Sequence, residues 1–121
     1  MSERVIKGYH AHIYYDPAKT RDAAARVRAG LTGFNVQLGR WHDEPVGPHL
    51  DPMYQAVFAP EEFARVVPWL MLHREGLSVL VHPSTGHGYG DHLERPLWLG
   101  EKLKLNEGTL RRSEESAIKD A

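Results

Sequence analysis

From Val5 to Tyr15 the chain alternates in a way that fits an extended strand, with Tyr9, Ala11, Ile13 and Tyr15 on one side and His10, His12 and Tyr14 on the other. Asp16-Pro17 then offers an N-cap and a proline for a first helical turn. A helix is expected over residues 17–29, with Ala24, Val27 and Leu31 on its apolar face and Gly30 as its stop. Residues 34–40 return to the two-residue period of a half-buried strand, whose polar face carries Asn35 and Gln37. Residues 41–52 are rich in proline and read as a loop, and Met53 to Phe58 reads as a third strand. Pro60-Glu61-Glu62 opens a second helix with the stripe Phe63, Val66, Val67 and Leu70, kinked by Pro68 and ended by Gly76. Leu77 to His82 is a fourth strand. Beyond it come a glycine-rich loop over 83–92 expected to be mobile, two short strand candidates at 97–100 and 103–105, and a polar tail from Asn106.

Strand, helix, strand, strand, helix, strand is the order of an α+β, ferredoxin-like βαββαβ fold, an antiparallel sheet with both helices on one face. Residues 1–105 would form that single domain and 106–121 its tail. Strands one and three are expected to be the central pair, running parallel, with strand four antiparallel beside strand one. Such an arrangement carries His82 toward His10 and His12, and the loop entering strand three carries His49 to the same end. If Val79 and Val81 face the helices, His82 shares the open side with the first two histidines. An open face bearing Ile6, Tyr14 and Leu80 would be closed by a second copy, so a homodimer is expected.

Composition adds a few exclusions. With 121 residues, 41% hydrophobic and 26% charged, the chain suits one ordinary globular domain, and no apolar run approaches a membrane span. A net charge of −1 argues against nucleic acid as a partner. There is no cysteine, which removes disulfides, thiolate ligands and cysteine nucleophiles. The first residues lack the basic and apolar regions of a signal peptide, so a cytoplasmic location is expected.

The unusual feature is eight histidines distributed through the interior of the sequence. Imidazole binds zinc, iron, copper and nickel, and His10, His12, His82 and His49 converge by topology, so a metal or catalytic site is expected there. Tyr14, Gln55 and Asp91 are candidates for the groups around it. Asp91-His92 suits a carboxylate and base delivered by a loop, whereas His42, His73 and His87 read as structural or solvated. Trp41 and Trp98 fall beside loops bordering the open face, where they could wall in a planar ligand. The glycine spacing over 86–90 matches no phosphate-binding fingerprint.

Taken together, Tyr9-His10-Ala11-His12-Ile13-Tyr14-Tyr15, Gly47-Pro48-His49, Met53-Tyr54-Gln55, His82-Pro83-x-Thr85-Gly86, Asp91-His92 and Trp98-x-Gly100 resemble the DOPA 4,5-dioxygenase family, from about Val5 to Gly100. The resemblance implies a ferredoxin-like fold and a non-haem Fe(II) enzyme that opens catechol rings with dioxygen. It implies a catechol-type small molecule and O2 as partners, His10, His12 and His82 as metal ligands, and His49 and His92 as acid/base groups. The usual facial triad contains a carboxylate, and none lies on these strands; the alternatives are an all-histidine site, Asp91 from the loop, or a site in which one of the three histidines stands next to the metal's ligands and is not one of them. Zinc or nickel could occupy such a site in purified protein. Two other functions compete: a dimeric module that binds a metal or small aromatic without turnover, and a zinc-type enzyme using the same histidines.

Overall fold

The computed structural model describes residues 5–120, with side chains through residue 113. Residues 1–4, from which a cytoplasmic location was expected, lie outside the described residues. Strand β1 (Gly8–Tyr14), helix α1 (Arg21–Leu31), strands β2 (Gln37–Leu38) and β3 (Met53–Phe58), helix α2 (Phe63–His73) and strand β4 (Val79–Ser84) follow one another in the expected βαββαβ order. A further helix α3 (Gly88–Leu93), strand β5 (Leu97–Leu99) and helix α4 (Glu107–Asp120) complete the chain. The sheet runs β2-β3-β1-β4-β5 and every adjacent pair is antiparallel, which makes this an α+β fold of the ferredoxin-like kind.

The central pair is therefore not parallel, contrary to expectation. Helix α1 returns the chain so that β2 runs with β1, and the following loop reverses it, so β3 runs against β1 with Met53 beside Tyr14 and Phe58 beside Tyr9. The loop into β3 thus ends at the Tyr14 end of β1, and His49 reaches the histidines by folding back across the open face. Antiparallel β4 does bring its end to the start of β1, with His82 directly across from His10.

Helices α1 and α2 pack on one face. Ala11, Ile13, Tyr54, Ala56, Phe58, Val79 and Val81 of the sheet meet Ala24, Val27 and Leu31 of α1 and Val66, Val67 and Leu70 of α2 in the main core. Helix α1 starts later than expected because Asp16 closes a turn instead of a cap: its carboxylate accepts the Ala18 N–H, and the Thr20 hydroxyl accepts the Asp16 N–H. Gly30 does not stop the helix; it lies within α1 where a Cβ would stand 2.3 Å from the Trp69 ring, so the missing side chain lets the two helices meet. Helix α2 continues through Pro68 and gives way to Glu75 and Gly76, both at positive φ, where Gly76 turns the chain as its sequence position suggests.

The opposite face is covered by the chain itself. Tyr14, Met53, Leu80 and Leu105 form a second cluster, closed by Val46, Leu93, Trp98 and Leu103. Leu80 and Tyr14 are buried without a second copy, while Ile6 stays 43% exposed, so two of the three residues on which a homodimer was expected are already covered by the chain itself. The 83–92 segment ends in helix α3 instead of forming a mobile loop, and α4 extends through the expected tail and packs on α3, with Arg111 over the ring of Tyr89. Strand β5 pairs with β4 through Trp98 and Leu80, whereas 103–105 contributes only a bridge from Leu105 to His49.

Candidate metal centre

Five histidines meet at one end of the open face. His10 and His12 project from β1 and His82 from β4, in registers that set His10 opposite His82 and His12 opposite Gln55. His49 comes from the loop before β3, held by its bridge to Leu105 and by the Asn106 N–H on the Pro48 carbonyl. His92 comes from α3. The His12 and His82 rings are nearly parallel, with their Nε2 atoms 3.1 Å apart. Ring centroids lie 4.1 Å apart for His12 and His49, 4.0 Å for His82 and His92, and 5.0 Å for His10 and His82. His12, His49 and His82 are buried, and His10 stands half-buried at the rim.

The outer nitrogens of three rings are tied down. His82 Nδ1 lies 2.9 Å from the Pro83 carbonyl, His92 Nδ1 lies 2.7 Å from the Gly88 carbonyl, and His49 Nδ1 lies 2.7 Å from the Tyr14 hydroxyl. Each contact fixes the ring and leaves its Nε2 for the centre, as oxygen partners do for metal-bound histidine. His12 Nδ1 is buried with no partner.

The set fits a metal ion. His10, His12 and His82 form one group, and His12, His49 and His92 another, in each of which the ligand nitrogens lie within 4.8 Å of one another. Two nitrogens about 2.1 Å from one ion and roughly at right to tetrahedral angles stand about 3.0–3.4 Å apart, which brackets the His12–His82 separation. Electrostatics agree with the geometry. Burial, reinforced by the neighbouring His49, His82, His92 and His10, holds His12 well below the ordinary imidazole range. Burial, with help from His92 and His42, brings His49 to about 4, and burial with His92 brings His82 to about 3. Burial also lowers His10 and His92. At neutral pH the cluster is therefore uncharged and has lone pairs to give a cation.

Asp91 does not join either group. Its carboxylate accepts the Thr85 N–H and hydroxyl at 2.8 and 2.7 Å and meets Arg95 at 3.2 Å. Burial works to raise its pKa, but those donors outweigh it and the net shift is downward. It anchors the start of α3, and so the position of His92, instead of offering an oxygen. Trp98 does border the site side, stacked on Tyr14, but Trp41 packs in the main core against Tyr15 and Tyr54 and walls in no ligand on the open face. His73 stacks on Trp69 at the end of α2, and His42 bridges to Met53. The sequence pattern missed the carbonyls of Pro83 and Gly88, which belong to no residue type, and the role of Thr85, for which its spacing to Asp91 is the only available signal.

A ferredoxin-like sheet with a buried histidine cluster on the face away from its helices defines an α+β protein with a site that could hold a metal ion. The family is then specific: residues 9–109 match the Dopa 4,5-dioxygenase family, and the chain belongs to it. A Nostoc punctiforme crystal structure, provisionally described as a dioxygenase, is 54% identical, with a TM-score of 0.88 over 93% of this chain and 99% of that one. A DOPA 4,5-dioxygenase of Amanita muscaria is 36% identical over 84% of this chain, and an uncharacterised 21.2 kDa protein of Botryotinia fuckeliana is 34% identical over 88%. The chain spans 48% and 66% of the lengths of these two fungal relatives.

Proposed function

We propose that the protein is an iron(II)-dependent dioxygenase that opens the ring of DOPA or a related catechol, with His10, His12 and His82 as ligands and His49 and His92 as acid/base groups. The observation that carries this is the buried cluster itself: five neutral imidazoles, three with their outer nitrogens fixed by oxygens, in a chain of the dioxygenase family. Bound iron would supply the Lewis-acid and redox chemistry that unites a catechol with dioxygen. An all-histidine donor set departs from the two-histidine, one-carboxylate triad and leaves the centre with a higher positive charge, which favours a ligand that arrives as an anion. Such a ligand has room on the sheet beside the histidines. Gln55 and Val57 of β3 stand across from His12 and His10, with Gln37 of β2 across from Val57, and all three lie outside the fully buried set. They form a shelf with polar groups to orient a substituent and an apolar centre for a ring.

The test is oxygen uptake by anaerobically iron-loaded protein with DOPA, caffeate, protocatechuate and catechol, followed by the absorbance of a semialdehyde product. Uptake is expected with at least one of them, and His12→Ala should lower it by about 100-fold or more, since it removes the ring common to both groups. Stoichiometric iron without uptake on any catechol would overturn the reaction and favour a binding protein for a metal or small aromatic. Zinc or nickel found in aerobically purified protein would reflect the ordinary affinity order, not the working metal.

A further inference from the structure

We infer that the partners of the outer nitrogens sort the imidazoles into two kinds, and that Tyr14 makes His49 the ring that turns an N–H, not a lone pair, toward the centre. This rests on the cluster being a metal centre and deepens that reading. A neutral imidazole has one ring proton to place. A carbonyl oxygen only accepts, so Pro83 and Gly88 require the proton of His82 and of His92 on Nδ1, and each Nε2 is left bare. Both rings therefore turn a bare nitrogen toward the centre, that of His82 as a ligand and that of His92 as a proton acceptor.

His49 differs because its partner is a phenol. The Tyr14 hydroxyl is buried and has His49 Nδ1 as its hydrogen-bond partner at 2.7 Å. If His49 carried its proton on Nδ1, the phenolic oxygen would accept it and its own hydrogen would turn away into a buried site with no acceptor among the described residues. With Tyr14 donating, Nδ1 is the lone pair and the ring proton sits on Nε2, the nitrogen turned toward His12 and His92. The proton of His12 falls into place by the same rule. In the metal-free protein His12 Nε2–H donates to the bare His82 Nε2 across 3.1 Å, and His12 Nδ1, which has no partner, can take that proton when an ion replaces the hydrogen bond. Every placed proton then has an acceptor or faces the centre.

Two consequences follow. The group His12, His49 and His92 is not a second ion site, because His49, unlike His12, has its Nδ1 taken by Tyr14 and so keeps its proton on the nitrogen that an ion would need. His49 instead aims its N–H at an anionic oxygen of whatever chelates the ion held by the other group, and Tyr14 is a positioning residue that acts through it.

The tautomers can be read directly by long-range proton–nitrogen NMR of the full chain labelled with 15N-histidine, first metal-free at pH 7.5 and then with one equivalent of zinc. His82 and His92 are expected as Nδ1–H, and His49 as Nε2–H in about nine-tenths of molecules or more. Zinc should move the His82 Nε2 resonance and leave the His49 pattern in place. Tyr14→Phe keeps the ring on Trp98 but removes the donor, and the His49 preference should collapse toward a mixture. His49 found as Nδ1–H in the parent protein, zinc on His49 Nε2, or an unchanged His49 in Tyr14→Phe would each overturn the inference. The parent spectrum decides even if the variant fails to fold. No iron, oxygen or catechol is involved, so failure of turnover with these tautomers intact would sink the proposed reaction alone, and the reverse result would sink only the role of Tyr14.

Discussion

At the scale of single residues, the histidines that suit the centre for a cation also make the metal-free fold sensitive to acid. His49 and His82 are held at about 4 and about 3, while in the unfolded chain they titrate near 6.5. Where the unfolded state binds more protons, stability rises with pH. The contribution of these rings is therefore whole above pH 6.5 and is lost as pH falls toward their native values. Each unit of acidification below 6.5 costs about 1.4 kcal/mol per ring, discounted because the rings repel one another once charged. Metal-free protein taken from pH 7 to pH 5 should lose roughly 2–4 kcal/mol in urea titrations, and His49→Ala should flatten the slope. A pH-independent midpoint across that range would show that the rings are not held neutral. The residues of this site were legible in sequence because β1 alternates and β4 must lie beside it. What holds them was not: the Pro83 and Gly88 carbonyls are backbone, and Asp91, a natural candidate ligand by residue type, is consumed by Thr85 and Arg95.

At the scale of elements, period and punctuation located the helices and strands well where the residues are ordinary and failed where a residue serves its neighbour. Residues 53–58 alternate and form β3 over that span. Gly30 looked like a terminator because glycine commonly ends helices, yet here its use is the approach of Trp69 from α2. The same mechanism fixes the sign of a substitution. In an exposed helix Gly→Ala is worth about 1 kcal/mol of stabilisation. In this place the added methyl meets the indole at 2.3 Å, so Gly30→Ala should destabilise by about 1–3 kcal/mol, read as a lowered urea midpoint. Stabilisation would mean that α1 and α2 do not meet there. Helix α3 escaped the sequence pattern for a related reason. Its glycines are poor helix formers, and the segment is fixed by local side-chain bonds from Asp91 to Thr85 and from His92 to Gly88 that no hydrophobic period announces.

At the scale of the whole molecule, the sheet has two faces with different closures, and the second closure also builds the metal centre. Helices α1 and α2 cover one face; the loop before β3, helix α3 and residues 103–105 cover the apolar half of the other. His49 and His92 are carried by those covering segments, so their positions depend on the packing of Tyr14, Met53, Leu80 and Leu105, not on the sheet alone. Leu105 is the link, because it is buried in that cluster and bridges by its backbone to His49. Leu105→Ala should cost about 2–4 kcal/mol by leaving a cavity under the loop. It should weaken the contacts of His49 more than those of His10, His12 and His82, which the β1–β4 register fixes independently. The expected outcome is a protein that still binds one zinc per chain by calorimetry but has lost the single His49 tautomer in its NMR spectrum. Loss of zinc binding together with the tautomer would show that the two halves of the centre are one cooperative unit, and that the sheet by itself does not hold the ion.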